Sequence, residues 1–329
     1  MKPRLILADG FNLFYANYHA NTKQNQNGEP IGGFLGFLNQ TRNIISKFSP
    51  HQVIIVFDGP NAGYRRRLVF KEYKGKRARK ERYARISLSS QGEEKDEIKV
   101  NNEEEQLKSL YSALKLLPVK ISIIPYYEAD DVIGHIARKN SLYEVIIVSS
   151  DKDYLQLINE KTICYQPFKQ RIITANNFQE VYKIPQANFL FYRTICGDQS
   201  DAFKGIKGIN EKTLIKNFPE ILTKDFEDFT EFWNAINEIK ETSKTITKLK
   251  NGYQDSLDNY KLMQLGNTLS LKAVETLNLQ LQEQANKPYS KLSFKIYCAK
   301  NNLNQEFNNY ESWVNPFNFL NKVPLNLTF

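Results

Sequence analysis

The sequence predicts an α/β fold: a mostly parallel central sheet flanked by helices, followed by a helical C-terminal region. Three observations carry that expectation. Short apolar, β-branched runs recur at residues 5–8, 53–57, 121–125 and 145–150, and such runs read as strands buried on both faces. Helical patterns alternate with them, which favours right-handed parallel crossovers. Beyond about residue 186 the strand signal fades and helical periodicity dominates.

The elements follow in order. Residues 21–33 form a polar loop rich in Asn, Gln and Gly. A helix is expected over 34–48, carried by Phe34, Leu35, Phe37, Leu38, Ile44 and Ile45. Residues 61–92 interrupt the alternation with a basic insert, helical around a break at Gly75. An amphipathic helix resumes over 103–117, apolar at Leu107, Leu110, Leu114 and Leu117. The expected division is an α/β core over 1–185 and a helical region over 186–329, with a hairpin at 203–218.

Composition narrows the function. The 329 residues are 41% hydrophobic, enough for an ample core and too many for a disordered tail. No apolar run approaches the length of a bilayer span. The N-terminus leads straight into a strand with no leader pattern, so a cytoplasmic protein is expected. Cys164, Cys196 and Cys298 are widely spaced, in neither zinc nor redox arrangement, and the three histidines are scattered. Zinc and histidine-triad chemistries therefore have little to build on.

The net charge is +9, and residues 64–85 alone hold eleven Lys or Arg against two Glu. A solvated helical face is the plain reading of such a run. Interleaved Tyr64, Phe70, Tyr73 and Tyr83 favour phosphate neutralisation with base stacking instead.

Acidic residues fall where the strands end. Asp9 closes the first run and Asp58 the second. Glu128, Asp130 and Asp131 follow the third, Asp151 and Asp153 the fourth, and Asp198 and Asp201 lie beside a glycine-rich turn. In parallel sheets the working site lies at the carboxyl ends of the strands. Carboxylates gathered there repel one another and raise each other's proton affinity, and hard divalent cations relieve this. A metal-dependent enzyme acting on phosphates is the inference.

Each motif also has a simpler use. Glu128 and Asp131, at i and i+3, suit a helix cap as well as a shared ligand face. Asp151 and Asp153 share a side if extended, but also fit an Asp-rich turn. Asp198 and Asp201 would share a face if helical. Independent explanations at all four places would require a coincidence. Residues 205–214 (Gly-Ile-Lys-Gly-Ile-Asn-Glu-Lys-Thr-Leu) add a tight turn before a helix. Its amides can hold a phosphate without reading sequence, although a plain helix–helix turn is the alternative.

On these residues the chain resembles the structure-specific 5′ nucleases: flap endonucleases, the 5′ nuclease domain of bacterial DNA polymerase I, and phage relatives, the T-even ribonuclease H type above all. The matching elements are Asp9 with Gly10-Phe11-Asn12, Phe57-Asp58 and the box from Glu128 to Asp131. Ser150-Asp151-Lys152-Asp153 with Gln156-Leu157, and Gly197-Asp198-Gln199-Ser200-Asp201, complete the set.

The resemblance implies a PIN-like catalytic core under a helical arch, with a helix-three-turn-helix in the hairpin. It implies two Mg²⁺ or Mn²⁺ ions, with K⁺ admitted at the hairpin. Asp9, Asp58, Glu128, Asp130 and Asp151 would serve the first ion, Asp153, Asp198 and Asp201 the second, with Asp131 assisting. Arg66 and Lys74 match arch cations that contact the scissile phosphate. Tyr73, Lys76 and Arg77 in the arch, and Lys204, Gly205, Lys207, Gly208, Lys212 and Thr213 in the hairpin, would contact DNA. Asn210 departs from the usual glycine, a position where Asn tolerates a left-handed backbone. The implied activity is 5′-3′ exonuclease or flap cleavage and RNA primer removal in replication, by a monomer in a phage-infected host. A replication clamp or single-strand-binding protein is admitted as partner. The alternatives are a PIN-type ribonuclease and a catalytically silent DNA-binding scaffold on the same fold.

Overall fold

The computed structural model describes residues 2–70, 73, 102–198, 203–266, 268–285, 289–307 and 309–320. Strands β1 (Arg4–Asp9), β2 (Gln52–Asp58), β3 (Lys120–Ile124), β4 (Glu144–Val148), β5 (Thr162–Gln166) and β6 (Arg171–Ile173) form one sheet, ordered β3-β2-β1-β4-β5-β6. The first five run parallel, and β6 pairs antiparallel with β5. Strand order therefore reverses at β1, which pairs with both β2 and β4. A crevice opens outside the carboxyl ends at such a switch point, where α/β sheets bind ligands.

Alternation along the strands builds two cores, because successive side chains point to opposite faces. Ile6, Ala8, Val53, Ile55, Ile146 and Val148 face one cluster, which holds α1 (Gly10–Ala20), α2 (Gly32–Phe48) and, through Leu107 and Leu110, the helix at Asn102–Leu114. Leu5, Leu7, Ile54, Val56, Val145 and Ile147 face the other, formed with the helices at Ala129–Lys139 and Leu271–Ala285. In chain order the described helices before residue 190 are α1, α2, α3 (Tyr64–Val69), α4 (Asn102–Leu114), α5 (Ala129–Lys139), α6 (Ala175–Tyr182) and α7 (Phe189–Cys196). The helix expected over 34–48 begins two residues earlier and ends at Ser49, whose φ of 45° is left-handed. The helix expected over 103–117 stops at Leu114. There the bonding tightens to Leu117 N–H on Leu114 O at 3.1 Å, and Pro118 follows.

The helical half expected after residue 186 divides in two. α7, α8 (Glu211–Asn217), α9 (Phe229–Glu238), α10 (Lys244–Asn251) and α11 (Tyr253–Met263) surround their own cluster of Phe191, Phe218, Phe232, Trp233 and Leu249. α12 (Leu271–Ala285), α13 (Lys291–Lys300) and α14 (Tyr310–Val314) return to the sheet. Trp313 and Phe317 are buried with Phe14 and Phe37, and the Trp313 indole donates to Asn39 Oδ1 at 2.7 Å. These two aromatics serve packing, while Phe319 is exposed.

α12 also closes the β3 edge of the sheet. Gln284 Oε1 accepts from Ile121 N–H at 2.8 Å and its Nε2 donates to Ile121 O at 2.7 Å. One turn earlier, Gln280 makes the same paired bonds to Ile123 at 3.2 and 2.8 Å. Two side-chain amides thus replace a neighbouring strand.

Candidate metal centre and nucleic-acid interface

Three of the predicted carboxylates, Asp9, Asp130 and Asp151, act on one tyrosine at the switch point, and a fourth, Asp58, acts on Asp9. Asp9 ends β1 and caps α1, its Oδ1 accepting from Asn12 N–H at 3.0 Å. Its Oδ2 accepts from the Tyr154 hydroxyl at 2.9 Å. Burial, with added repulsion from Asp58 and Asp151, pushes the Asp9 carboxyl up to about 7 against the lowering effect of the Asn12 amide. Tyr154 in turn feels Asp9, Asp130 and Asp151, and burial followed by that charge raises its hydroxyl well above the usual range. Asp58, at the end of β2, accepts from Ala129 N–H at 2.8 Å and so ties the start of α5 to the same edge. Asn12 Oδ1 accepts from Ser150 N–H at 2.9 Å, fastening the β4 loop against α1.

Glu128, Asp130 and Asp131 open α5, and one oxygen from each lies within 4.8 Å of the others, a grouping able to hold a cation. Glu128 and Asp131 also form a capping box, Glu128 N–H donating to Asp131 Oδ2 at 3.4 Å. The cap and the shared face anticipated for this box therefore coexist.

Arg66 lies among the acids that open α5. It is buried under α5, paired with Glu128 and, at 3.1 and 3.2 Å, with Asp130 and Asp131. Burial opposes its charge, but Asp130, Asp131, Tyr73 and Glu128 together raise its pKa well above the usual value. Its neighbour Arg65, on the more open side of α3, donates to Asp131 at 3.0 Å. Tyr73 is likewise in the core, with Leu190, Phe203, Leu262 and Met263. Its hydroxyl donates to Glu128 at 3.0 Å, so it seats a carboxylate and does not stack on a base.

A second arginine gathers the other acids. Arg193 on α7 pairs with Asp153 at 2.5 Å and with Asp198. Asp151 and Asp153 do not lie in an extended segment: Asp151 caps a 3₁₀ turn, Lys152–Leu157, with Oδ1 accepting from Asp153 N–H at 2.9 Å. The turn swings Asp153 toward Arg193 while Asp151 is exposed. Asp198 lies in a two-residue ribbon, β7 (Gly197–Asp198) against β8 (Phe203–Lys204), and not in a helix. Lys74, Lys76, Arg77 and Asp201 fall outside the described residues.

The hairpin follows that ribbon. A Cβ on Gly205 would lie 2.4 Å from Cys196 O, so only glycine lets the turn meet the end of α7. Gly208 takes a φ of +85°, the conformation glycine favours. Asn210 is extended, with φ −107°, and caps α8 by accepting from Thr213 N–H and Oγ1–H, both at 2.9 Å. Its side chain is used as an N-cap and not for a left-handed turn. Lys204, Lys207 and Lys212 are exposed on this segment, and Lys248 of α10 reaches within 3.5 Å of where a Gly208 Cβ would stand.

Arg193, Tyr154 and Asn12 escaped the sequence reading as site residues. Each acts through a contact with a residue distant in sequence or through its own burial. Among them only Asn12, adjoining the Asp9 motif, had a local signal.

Carboxylates collected at the carboxyl edge of a parallel sheet, in a chain that also carries a lysine-bearing hairpin, suit a divalent cation and a phosphate-bearing substrate. Residues 4–183 match the family described as 5′-3′ exonuclease, N-terminal resolvase-like domain. The chain belongs to the 5′-3′ exonuclease family. A 5′-3′ exonuclease of Buchnera aphidicola subsp. Acyrthosiphon pisum is 30% identical over 317 residues, 94% of this chain and 97% of its own. The thermostable DNA polymerase I of Thermus filiformis is 30% identical over 220 residues, 66% of this chain and 24% of its own. Among solved structures, the T5 D15 protein co-crystallised with metal ions superposes with a TM-score of 0.64 at 19% identity, covering 85% of this chain and 98% of its own. That last likeness speaks for the fold. The relatives named are bacterial and T5 proteins, so a closer kinship with the T-even ribonuclease H type is not shown. Among the described residues no helix is long and apolar enough to cross a membrane.

Proposed function

We propose that this 5′-3′ exonuclease family member hydrolyses phosphodiesters at the 5′ ends of duplex substrates, acting on flaps, nicks and RNA primers during replication. The observation that carries the reading is the convergence of Asp9, Asp130 and Asp151 on Tyr154, with Asp58 beside Asp9. Asp9 is held near neutral pKa by its surroundings, as expected of a carboxylate that functions with a cation beside it. These four with Glu128 would hold the first of two Mg²⁺ or Mn²⁺ ions, and Asp153, Asp198 and Asp201 would serve the second. Bound divalent ions supply hydroxide near neutral pH and offset charge on the reacting phosphate.

The chain's own groups do the rest. Tyr154 and Asn12 fix the two oxygens of Asp9. Arg66 and Arg193 hold the remaining acids together. Lys74 on the arch, with Lys76 and Arg77, would bring positive charge to the scissile phosphate and the departing strand. Lys204, Lys207 and Lys212, with Gly205, Gly208 and Thr213, would hold duplex phosphates without reading sequence, as a helix-three-turn-helix does. K⁺ at that turn, a clamp or single-strand-binding partner, and RNA primer removal of the T-even type extend the same reading, as does work in the cytoplasm of a phage-infected host.

Product mapping on 5′-labelled flap, nicked and RNA-primed duplexes, with Mg²⁺ and with EDTA, tests it. Cleavage at the 5′ side only with Mg²⁺ is expected. Equal cutting of linear single-stranded RNA would favour a PIN-type ribonuclease, and duplex binding without cleavage a silent scaffold.

A further inference from the structure

The opposite end of the sheet holds a cavity unrelated to the carboxylate edge. It encloses about 320 Å³ between β3, the end of α4 and the C-terminal part of α12. That volume suits a small molecule. Its walls mix apolar residues (Leu117, Val119, Ile121) with polar and charged ones (Lys115, Lys120, Tyr289).

Two polar groups in these walls have no hydrogen-bond or ion-pair partner among the described residues. Lys120, the first residue of β3, is only 4% exposed, and its ammonium has neither an ion pair nor a hydrogen bond there. The Tyr289 hydroxyl is buried with no hydrogen-bond partner among the same residues. Buried polar groups are nearly always paired, so the Tyr289 hydroxyl is an exception, while the largely buried Lys120 side chain brings its ammonium to the open cavity. Burial alone lowers the Lys120 ammonium to about 8, with no carboxylate restoring it. Among the described residues Glu283 is the one carboxylate lining the cavity, and it is exposed. Lys115 adds a second cation at the rim, resting 4.2 Å from the centre of the Tyr111 ring.

We propose that this cavity is a binding site for a small anion, whose phosphate or carboxylate head accepts hydrogen bonds from Lys120 and Tyr289. The site is separate from the nuclease centre: Lys120 pairs with Ile54 at the start of the β2–β3 ladder, whereas Asp58 pairs with Ile124 at its other end.

Calorimetric titration of the full chain with inorganic phosphate and, separately, with benzoate tests the site, at an ionic strength fixed with chloride. Saturable binding of at least one probe is expected. Lys120→Met should weaken it roughly tenfold or more, the loss that a charge-assisted hydrogen bond implies, and Tyr289→Phe by a smaller factor. Mg²⁺-dependent flap cleavage by Lys120→Met should match that of the unaltered protein. Binding of benzoate alone assigns the site to organic anions, of phosphate alone to bare oxyanions, and of both to the shared head group. Absence of saturable binding by either probe, or equal affinity in the unaltered protein and both variants, overturns the proposal.

Discussion

The Tyr154 hydroxyl donates to Oδ2 of Asp9 at 2.9 Å across 145 positions of sequence. It joins the strand that starts the sheet to the turn that follows β4. The bond favours the ionised carboxyl, so it works against the burial that raises Asp9. Tyr154→Phe should push the Asp9 carboxyl higher still. The acidic limb of the pH–rate profile should move to higher pH, with cleavage below neutrality down by about fivefold, the strength of one hydrogen bond. Profiles at saturating Mg²⁺ check this. A uniform loss at every pH would mean that the tyrosine serves packing alone.

Asp9 itself links stability to pH. Its carboxyl titrates near 3.8 when unfolded and near 7 when folded. The folded protein therefore takes up a proton between those values. The contribution is fully present below about pH 4 and lost as pH rises through 7. In EDTA, Asp9→Asn should stabilise the protein at pH 8 by roughly 1–3 kcal/mol and give no gain near pH 4. Urea unfolding at the two pH values decides it. Divalent metal should restore the unaltered protein and leave the variant indifferent.

Arg66 is surrounded by Glu128, Asp130 and Asp131. Removing one partner from a buried ionic group strands the others, at a cost of about 3–5 kcal/mol. Arg66→Met should lower the melting temperature in EDTA, and Mn²⁺ should recover part of that loss by neutralising the same acids. Melting curves that Mn²⁺ leaves unmoved would show that these carboxylates do not take up the ion.

Asp151 is the exposed carboxylate of the group, and as Asn it should still cap the 3₁₀ turn. Asp151→Asn should reduce cleavage by more than the roughly 10–100-fold that outer-sphere partners cost, with duplex affinity kept. Parallel gel-shift and cleavage assays separate the two.

The lysines of the hairpin act at longer range. Charge reversal at Lys204, Lys207 and Lys212 together should flatten the salt dependence of duplex binding, by a slope of about one for each phosphate no longer neutralised. Affinity measured over a salt series gives that slope. An unchanged slope moves duplex binding to another surface.

The sheet and its acids were legible because their signals are local. β-branched runs name the strands, and an acid closing each run names the edge, so Asp9, Asp58 and Asp151 followed from residues beside them. The helix boundaries at 34 and 117 shifted by two or three residues, the second where the bonding tightens ahead of Pro118. What pairs with the acids was not legible. Arg193 reaches Asp153 from 40 positions away, and Arg66, in a run that reads as surface, reaches Glu128 of the α5 box from 62 positions away. Charge density along a sequence does not say which cation turns inward. Tyr73 sits in that same basic run, and its burial against Phe203 depends on residues 130 positions later.

The glutamine pair on α12 has a consequence for self-association. A sheet margin with unsatisfied amides is a template on which another molecule can extend a ladder. Gln280 and Gln284 occupy those groups on β3. An approaching chain would have to displace two side-chain amides before its first rung could form, which keeps strand exchange and fibril seeding away from this border.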